Sequence, residues 1–421
     1  MYLTKYVPYK CFLVLFSVIN CQEKLMSQGV GQQLTAWQKE ELIIHQISTG
    51  QGNATFAVLP DGTTLLIDAG AISSVDWRTN APRNLPTKPN ASRRAGQWIA
   101  RYISRYMPIR EKPSLDYAVL THFHDDHMGS PVLAPLNQSG DYALTGITEV
   151  AEYITISRII DRGWPDYRYP RPMSGDSMMM NYQRFLTKQI EQNNLKVDRF
   201  RAGLIDQIRL VKQPRAYKAN FHIRNIAANG EIWTGRKQSS RAIFPPLGSL
   251  QPAQYPTENM CSAVMHIQYG RFDYFTGGDI PGVLRFGSPA WHDVETPVAN
   301  VAGQIDVQLM DHHGYEDAQN GTLLKKLRPQ VLVIPVWHES HANDEVLERV
   351  FSDSSETGER DVFATQLLKK TPSAIAAKMK STAGHVVVRV KPGGGSYRVF
   401  VLEDTDEQNR IKAVYGPYQS K

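Results

Sequence analysis

The chain has 421 residues, 42% of them hydrophobic and 21% charged, with a formal net charge of +6 and a pI near 9.0. That length can bury a sizeable core in one or two domains. The charge is spread along the whole chain, which fits a solvated surface better than a nucleic-acid patch. Three cysteines exclude a disulfide framework and a cysteine-based zinc site.

The first residues, "MYLTKYVPYK", carry Lys5 and Lys10, and a nine-residue apolar run follows from Cys11 to Ile19. A basic start before a short apolar core is the pattern of a secretory signal, and the run is too short to span a bilayer. We therefore expect residues 1–21 to be a signal peptide or lipoprotein signal, and the protein to be periplasmic or extracellular. Cys21 is the residue that would carry a lipid anchor, the one membrane link foreseen. Cys261 is expected to be a small core residue.

Residues 38–421 read as a single domain. "ELIIHQIS" predicts a strand, and "ATFAVLPDGTTLLIDAG" a hairpin turning at Asp61-Gly62. "RRAGQWIARYISRYM" carries apolar residues at helical spacing and stops before Pro108. "SLDYAVLT" is an apolar strand that runs into "THFHDDHMG". From about 136 to 258 the pattern is less regular and reads as an insert. It holds a loop rich in Pro, Tyr and Arg, "GWPDYRYPRPMSGD", then a helix over "SMMMNYQRFLTKQIEQNN" and a second loop ending at Pro256. "CSAVMHIQYGRFDYFTGGD" predicts a hairpin turning at Tyr269-Gly270. "IDVQLMDHHG" predicts a strand ending in two histidines, and "QVLVIPV" a buried strand between the helices "TLLKKL" and "NDEVLERVF". "GHVVVRVKPGGGSYRVFVLED" predicts a hairpin around Gly393 to Gly395.

The chemistry concentrates in His122, His124, Asp126 and His127, an H-x-H-x-D-H pattern at the end of a strand. A turn entering a helix would point these side chains into one volume. Neutral imidazole and carboxylate suit Zn²⁺, and also Mn²⁺. Two histidines would hold one ion and the Asp-His pair a second. No G-x-S-x-G elbow and no P-loop occur, so a nucleophile would come from water.

H-x-H-x-D-H after a strand resembles the metallo-β-lactamase fold superfamily. "LLIDAG", "FTGGD" and "MDHHG" look like its later motifs, and the matches span Glu41 to His385. The resemblance implies a four-layer αββα sandwich of α/β class, with the site at one edge. It implies that Asp68 supports the site and that Asp279 bridges two metals. It further implies that His312 or His313 completes the second metal's ligands. "GQGNATFAVLPDGTTLLIDAG", "HHG" and "WHESHANDEVLERV" look more narrowly like the metallohydrolase domain of ComEC/Rec2 proteins and their soluble relatives. Asn53 stands where those have an acid, and His341 matches a histidine before a helix. The superfamily often supplies a third histidine to the first metal before the bridging Asp. Here only His222 and His266 are available there, and both read as ordinary strand residues.

The expected function is a metal-dependent hydrolase holding one or two zinc ions, with manganese as the other suitable metal. Asp126 and His341 are the candidate catalytic side chains. The favoured substrate is an anionic phosphodiester, including nucleic acid, for which Arg162, Arg168 and Arg171 are candidate phosphate contacts. The alternatives are hydrolysis of a lactam, lactone or thioester, and a non-catalytic binding protein on the same scaffold.

Overall fold

The structure, a computed structural model, describes residues 28–77, 83–109, 111–352, 358–368 and 371–421. The signal expected over residues 1–21, with Cys11 and Cys21, lies outside the described residues.

The chain opens with β1 (Leu42–Gln46), β2 (Thr55–Val58) and β3 (Thr64–Ile67). Between the last two, Leu59 N donates to Thr63 O at 2.8 Å and Gly62 takes φ +88°, so the Asp61-Gly62 turn forms where its residues demand it. Helix α1 (Ala95–Tyr106) buries Trp98, Ile99, Tyr102 and Ile103 and ends before Pro108. Then come β4 (Ser114–Leu115), β5 (Tyr117–Leu120), the single turn α2 (Asp125–Met128), α3 (Gly146–Tyr153), β6 (Thr155–Ile156) and β7 (Arg158–Asp161). Helix α4 (Ser177–Asn193) starts on Asp176, whose side chain accepts from Met179 N. Beyond it lie β8 (Lys196–Arg199), β9 (Phe221–Ala228), β10 (Glu231–Trp233) and β11 (Ser240–Ala242).

The remaining strands are β12 (Val264–Tyr269), β13 (Phe272–Thr276), β14 (Val307–Leu309), β15 (Val331–Ile334), β16 (Asp361–Ala364), β17 (His385–Val390), β18 (Ser396–Leu402) and β19 (Ile411–Gln419). The helices among them are α5 (Glu295–Ala302), α6 (Gly321–Leu327), α7 (Asp344–Ser352) and α8 (Ser373–Ala376). Both late hairpins form, with Tyr269 opposite Phe272 and Val390 opposite Tyr397, the first turning at Gly270-Arg271, one residue later than expected.

Two large sheets result, in the orders β19-β18-β17-β1-β2-β3-β5-β7-β8 and β11-β10-β9-β12-β13-β14-β15-β16. Each is antiparallel on one side and parallel on the other, the parallel parts being β3-β5-β7-β8 and β13-β14-β15-β16. Residues 136–258 supply β7 and β8 to the first sheet and β9 to β11 to the second.

Alternation of side chains fixes the layers. Ile44, Leu65, Ile67 and Val119 of the first sheet meet Met265, Ile267, Leu309 and Val333 of the second in one shared core. Phe56, Leu66, Ala118 and Leu120 face the other way, onto α1, α3 and α4. Phe275 and Val264 pack on α5 and α6, while Leu332 and Ile334 pack on α7. The architecture is thus the four-layer αββα sandwich. Among the described residues, no helix is long and apolar enough to cross a membrane.

Candidate metal centre

Strands β3, β5, β13, β14 and β15 all lead toward one edge of the sandwich. Their carboxyl ends deliver Asp68, His122, Asp279, His313 and His341 there. The carboxyl ends of parallel strands are where such sheets leave a crevice. This one is a cavity of about 650 Å³ whose wall includes His124, Asp126, Asp279, His312, His313 and His341.

Asp126, His127, Asp279 and His313 form one group and His122, His124 and Asp279 a second, the ligand atoms within each lying within 4.8 Å of one another. In the first, His127 Nε2 lies 3.1 Å from Asp279 Oδ1 and 3.2 Å from His313 Nε2, and His313 Nε2 lies 3.0 Å from Asp126 Oδ2. In the second, His122 Nε2 is 3.1 Å from His124 Nδ1 and 3.7 Å from Asp279 Oδ2. A tetrahedral ion with bonds of about 2.0–2.1 Å sets its ligand atoms about 3.3 Å apart, so both spacings suit a metal.

Hydrogen-bond bookkeeping makes the same point. His127 Nδ1 faces Asp68 Oδ2 at 2.7 Å, and His313 Nδ1 faces the carbonyl of Pro335 at 2.7 Å. Neither oxygen can donate, so each imidazole places its proton on Nδ1 and turns the lone pair of Nε2 inward. Thr121 Oγ1 donates to Asp68 Oδ2 at 2.8 Å and so accepts from His122 Nδ1, 3.2 Å away, leaving Nε2 of His122 likewise bare. Lone pairs and carboxylate oxygens packed this closely call for a cation. Charge balance agrees. Burial works against the charged form of His127, yet Asp279, Asp126 and Asp68 outweigh it and hold the imidazole well above its usual range. Burial would likewise raise the carboxyl of Asp279, and His127 and His313 hold it well below.

The four-layer sandwich with its site at one edge is the architecture that the sequence resemblance implied. No family model and no curated protein matches the sequence. Among solved structures, a variant of the CmlA beta-hydroxylase shows 13% identity over 76% of this chain and 52% of that one, with a TM-score of 0.37. The chain thus spans about half the length of that protein. The metallo-beta-lactamase fold protein YhfI from Bacillus subtilis shows 11% identity over 84% of this chain and 98% of that one, with a TM-score of 0.35.

Around the ligands stand supporting residues, Asp68 as the resemblance implied and others that the sequence did not announce. Asp68 accepts from Thr121 N, Thr121 Oγ1 and Asn53 Nδ2 as well as facing His127. Asn53 uses both ends of its amide. It donates to Asp68 Oδ2 at 3.0 Å, which a carboxylate at that position would not do, and accepts from Gln46 Nε2 at 3.0 Å. Trp337 donates from Nε1 to Asp126 Oδ2 at 2.9 Å, and nothing in its sequence neighbourhood announces this.

Arg162, a candidate phosphate contact in the sequence, is fully buried and forks onto Glu258. Glu258 Oε1 also accepts at 2.8 Å from the backbone N–H of Phe123, the residue between His122 and His124. This ion pair therefore holds the H-x-H turn, and the guanidinium is not available to a substrate. Arg171 donates to the carbonyl of Pro252 at 2.7 Å, Arg168 is exposed, and neither lines the cavity.

The two adjacent histidines do not alternate as strand residues. Strand β14 ends at Leu309, and His312 and His313 both take left-handed backbone conformations in a turn, at φ 47° and 55°. His313 enters the ligand group. His312 lies in neither group; its Nδ1 is 2.6 Å from Asp317 Oδ1 and its Nε2 is 3.8 Å from Asp279 Oδ2. His341 stacks on His313, with ring centres 4.6 Å apart, and its Nδ1 is buried with no partner. His222 and His266 lie on β9 and β12, where His266 pairs with Asp273 at 2.7 Å; neither joins a ligand group. Cys261 is buried, and burial pushes its thiol up to about 12.

Proposed function

We propose that this protein is a metal-dependent hydrolase that cleaves a phosphodiester. The observation that carries the reading is the two ligand groups sharing Asp279, with imidazole lone pairs and carboxylate oxygens turned toward one another. Zinc or manganese bound there would supply Lewis acidity and bring the pKa of water toward about 7. Asp126, pinned through Oδ2 by Trp337, is placed at the cavity wall to take a proton from water. His341, stacked on His313 with a bare Nδ1, is placed to meet a phosphate oxygen or to give a proton to the leaving group.

The cavity mouth supports a nucleotide-like substrate. Trp77 is 70% exposed there, and the guanidinium of Arg83 lies 5.5 Å over its ring. An exposed aromatic ring beside a guanidinium, here also 3.6 Å from Glu339 Oε1, is a pairing that suits a base and its phosphate. Hydrolysis of a lactam, lactone or thioester would use the same ligands, but needs neither of these groups.

The test is turnover by protein loaded with Zn²⁺ or Mn²⁺, on bis(p-nitrophenyl) phosphate and single-stranded DNA, against nitrocefin and a thiolactone. Phosphodiester turnover that disappears in His122→Ala and Asp279→Asn is the expected result. Turnover of nitrocefin or the thiolactone alone would replace this reading with the second. A stable protein that holds no metal and turns over nothing would make it a binding protein.

We further propose export, on Lys5, Lys10 and the apolar run from Cys11 to Ile19. Cell fractionation and mass spectrometry of the mature N-terminus check this. An intact N-terminus in the cytoplasm would exclude it, and a lipid on Cys21 would identify the anchor.

A further inference from the structure

The first ligand group, His122, His124 and Asp279, lacks the third histidine that the superfamily often supplies. The geometry points to Asn259 as the side chain that completes it, through its amide oxygen. This inference rests on the metallohydrolase reading above.

Three observations converge. The first is position. Asn259 opens the short turn Asn259–Cys261, in the interval between the H-x-H-x-D-H stretch and Asp279 where a third ligand is expected. The segment is clamped to the ligand turn on both sides of Asn259: Glu258 accepts from Phe123 N at 2.8 Å, and Ala263 N donates to Thr121 O at 2.9 Å.

The second is orientation. Asn259 lines the same cavity wall as His124, Asp279 and His312. Its Nδ2 lies 3.2 Å from His312 Nε2, and His312 Nδ1 lies 2.6 Å from Asp317 Oδ1. Nδ2 is thus the end of the amide turned toward His312.

The third is the orphan. The other end, Asn259 Oδ1, is buried with no hydrogen-bond partner. Leaving a buried acceptor unsatisfied is costly, so such groups ask for an explanation. A cation between His122, His124 and Asp279 would satisfy it.

The chemistry has a consequence for the metal. Two imidazoles, a carboxylate and an amide oxygen make a harder donor set than three imidazoles and a carboxylate. Oxygen donors suit Mn²⁺ more than they suit softer ions. The first site should therefore take Mn²⁺ more readily than a three-histidine site would, while the group with His127 and His313 keeps its own preference. His312 and Asp317 act as positioning residues that aim the amide.

The experiment is metal titration of the full chain after chelation, with Mn²⁺, Zn²⁺ and Co²⁺ in turn. Stoichiometry is read by mass spectrometry, affinity by calorimetry, and coordination by the visible spectrum of bound Co²⁺. Wild type should bind two equivalents. Asn259→Ala should lose the weaker one or bind it at least about 10-fold less tightly, the smaller end of what even an outer hydrogen-bond partner contributes. Asn259→Asp and Asn259→His should keep two, the latter with an altered Co²⁺ spectrum and a preference moved from Mn²⁺ toward Zn²⁺. Because Asn259→Ala also removes the contact to His312, its melting temperature is compared, and the Asp and His variants carry the test if it is unstable. Two equivalents of unchanged affinity in Asn259→Ala would overturn the inference and leave the hydrolase reading standing. So would loss of one equivalent in His312→Ala alone, which would make His312 the ligand. Failure of wild type to bind any metal would overturn both.

Discussion

At the scale of single residues, the centre depends on where protons sit. Asp68 is a backbone oddity, with φ 61°, that turns its carboxylate into the protein to collect four contacts, from Thr121, Asn53 and His127. Through His127 it sets which nitrogen is bare. Asp68→Asn puts an NH₂ where Oδ2 accepts and reverses that assignment. We expect metal affinity and activity to fall about 10–100-fold, the range for partners that orient a metal-binding imidazole. Competition with a chromophoric chelator measures it, and unchanged affinity would mean that Asp68 serves the fold alone.

At the scale of elements, the ligand turn is seated by backbone against backbone. Asn53 N donates to Asp126 O, Ala69 N to His127 O and Ala71 N to Asp125 O. This close fit explains two glycines of the sequence motifs. A Cβ at Gly70 would lie 2.0 Å from Asp126 O, and one at Gly52 would lie 2.3 Å from it. Neither obstacle is a movable side chain. Gly70→Ala should therefore push α2 off its seat, costing about 1–3 kcal/mol as overpacking does, and should weaken metal binding as well. Urea denaturation with metal titration checks both; normal binding in a destabilised variant would show that the turn re-forms.

Elements also show where periodicity is readable. The early hairpin, α1, β5 and the two late hairpins follow from alternation, turn residues and helical spacing. Strands β7, β8, β10 and β11 escape such reading because they are only three or four residues long, and β8 and β11 are exposed at sheet edges. Residues 136–258, which look like an insert, in fact carry strands of both sheets. Strand β19, with exposed positions and Pro417, is covered on one side only and gives no apolar signal.

For the whole molecule, the buried pair Arg162–Glu258 ties the end of β7 to the approach to β12 and to the H-x-H turn. Arg162→Met would leave Glu258 as an uncompensated, nearly buried charge. The expected loss is about 3–5 kcal/mol, much of it restored by adding Glu258→Gln, because the cost lies in the stranded charge. Chemical denaturation of the single and double variants decides; equal stability of the two would place the cost in lost packing around Phe123.

A second whole-molecule property is acid sensitivity. His45 and His385 lie in the core, on the paired strands β1 and β17. Burial pushes His45 down to about 3, assisted by His385 and Arg389, and burial pushes His385 down to about 4. In the unfolded chain both titrate near 6.5, so below that pH the unfolded state binds protons that the folded state refuses. Stability is full above pH 6.5 and falls as pH drops toward 4, each histidine contributing a slope of up to about 1.4 kcal/mol per pH unit. Unfolding free energies at pH 7.5 and 5.0, with His45→Gln as the variant of shallower slope, test this after chelation so that metal loss does not mimic it.

The residue types of the centre are legible in the sequence by itself: His122, His124, Asp126, His127 and Asp279 sit in local patterns whose strand-to-turn context the backbone imposes over a few residues. Local periodicity likewise shows the strands and helices from which the sandwich is built. Only the tertiary structure decided which atoms meet. His313 rather than His312 joins the ligand group because two consecutive left-handed residues break strand alternation, and Trp337, Glu258 and Arg162 reach the centre from segments distant in sequence. A ligand is defined by a lone pair within a few ångströms of other lone pairs. That condition is set by the convergence of strand ends from two sheets, which no short window of sequence contains.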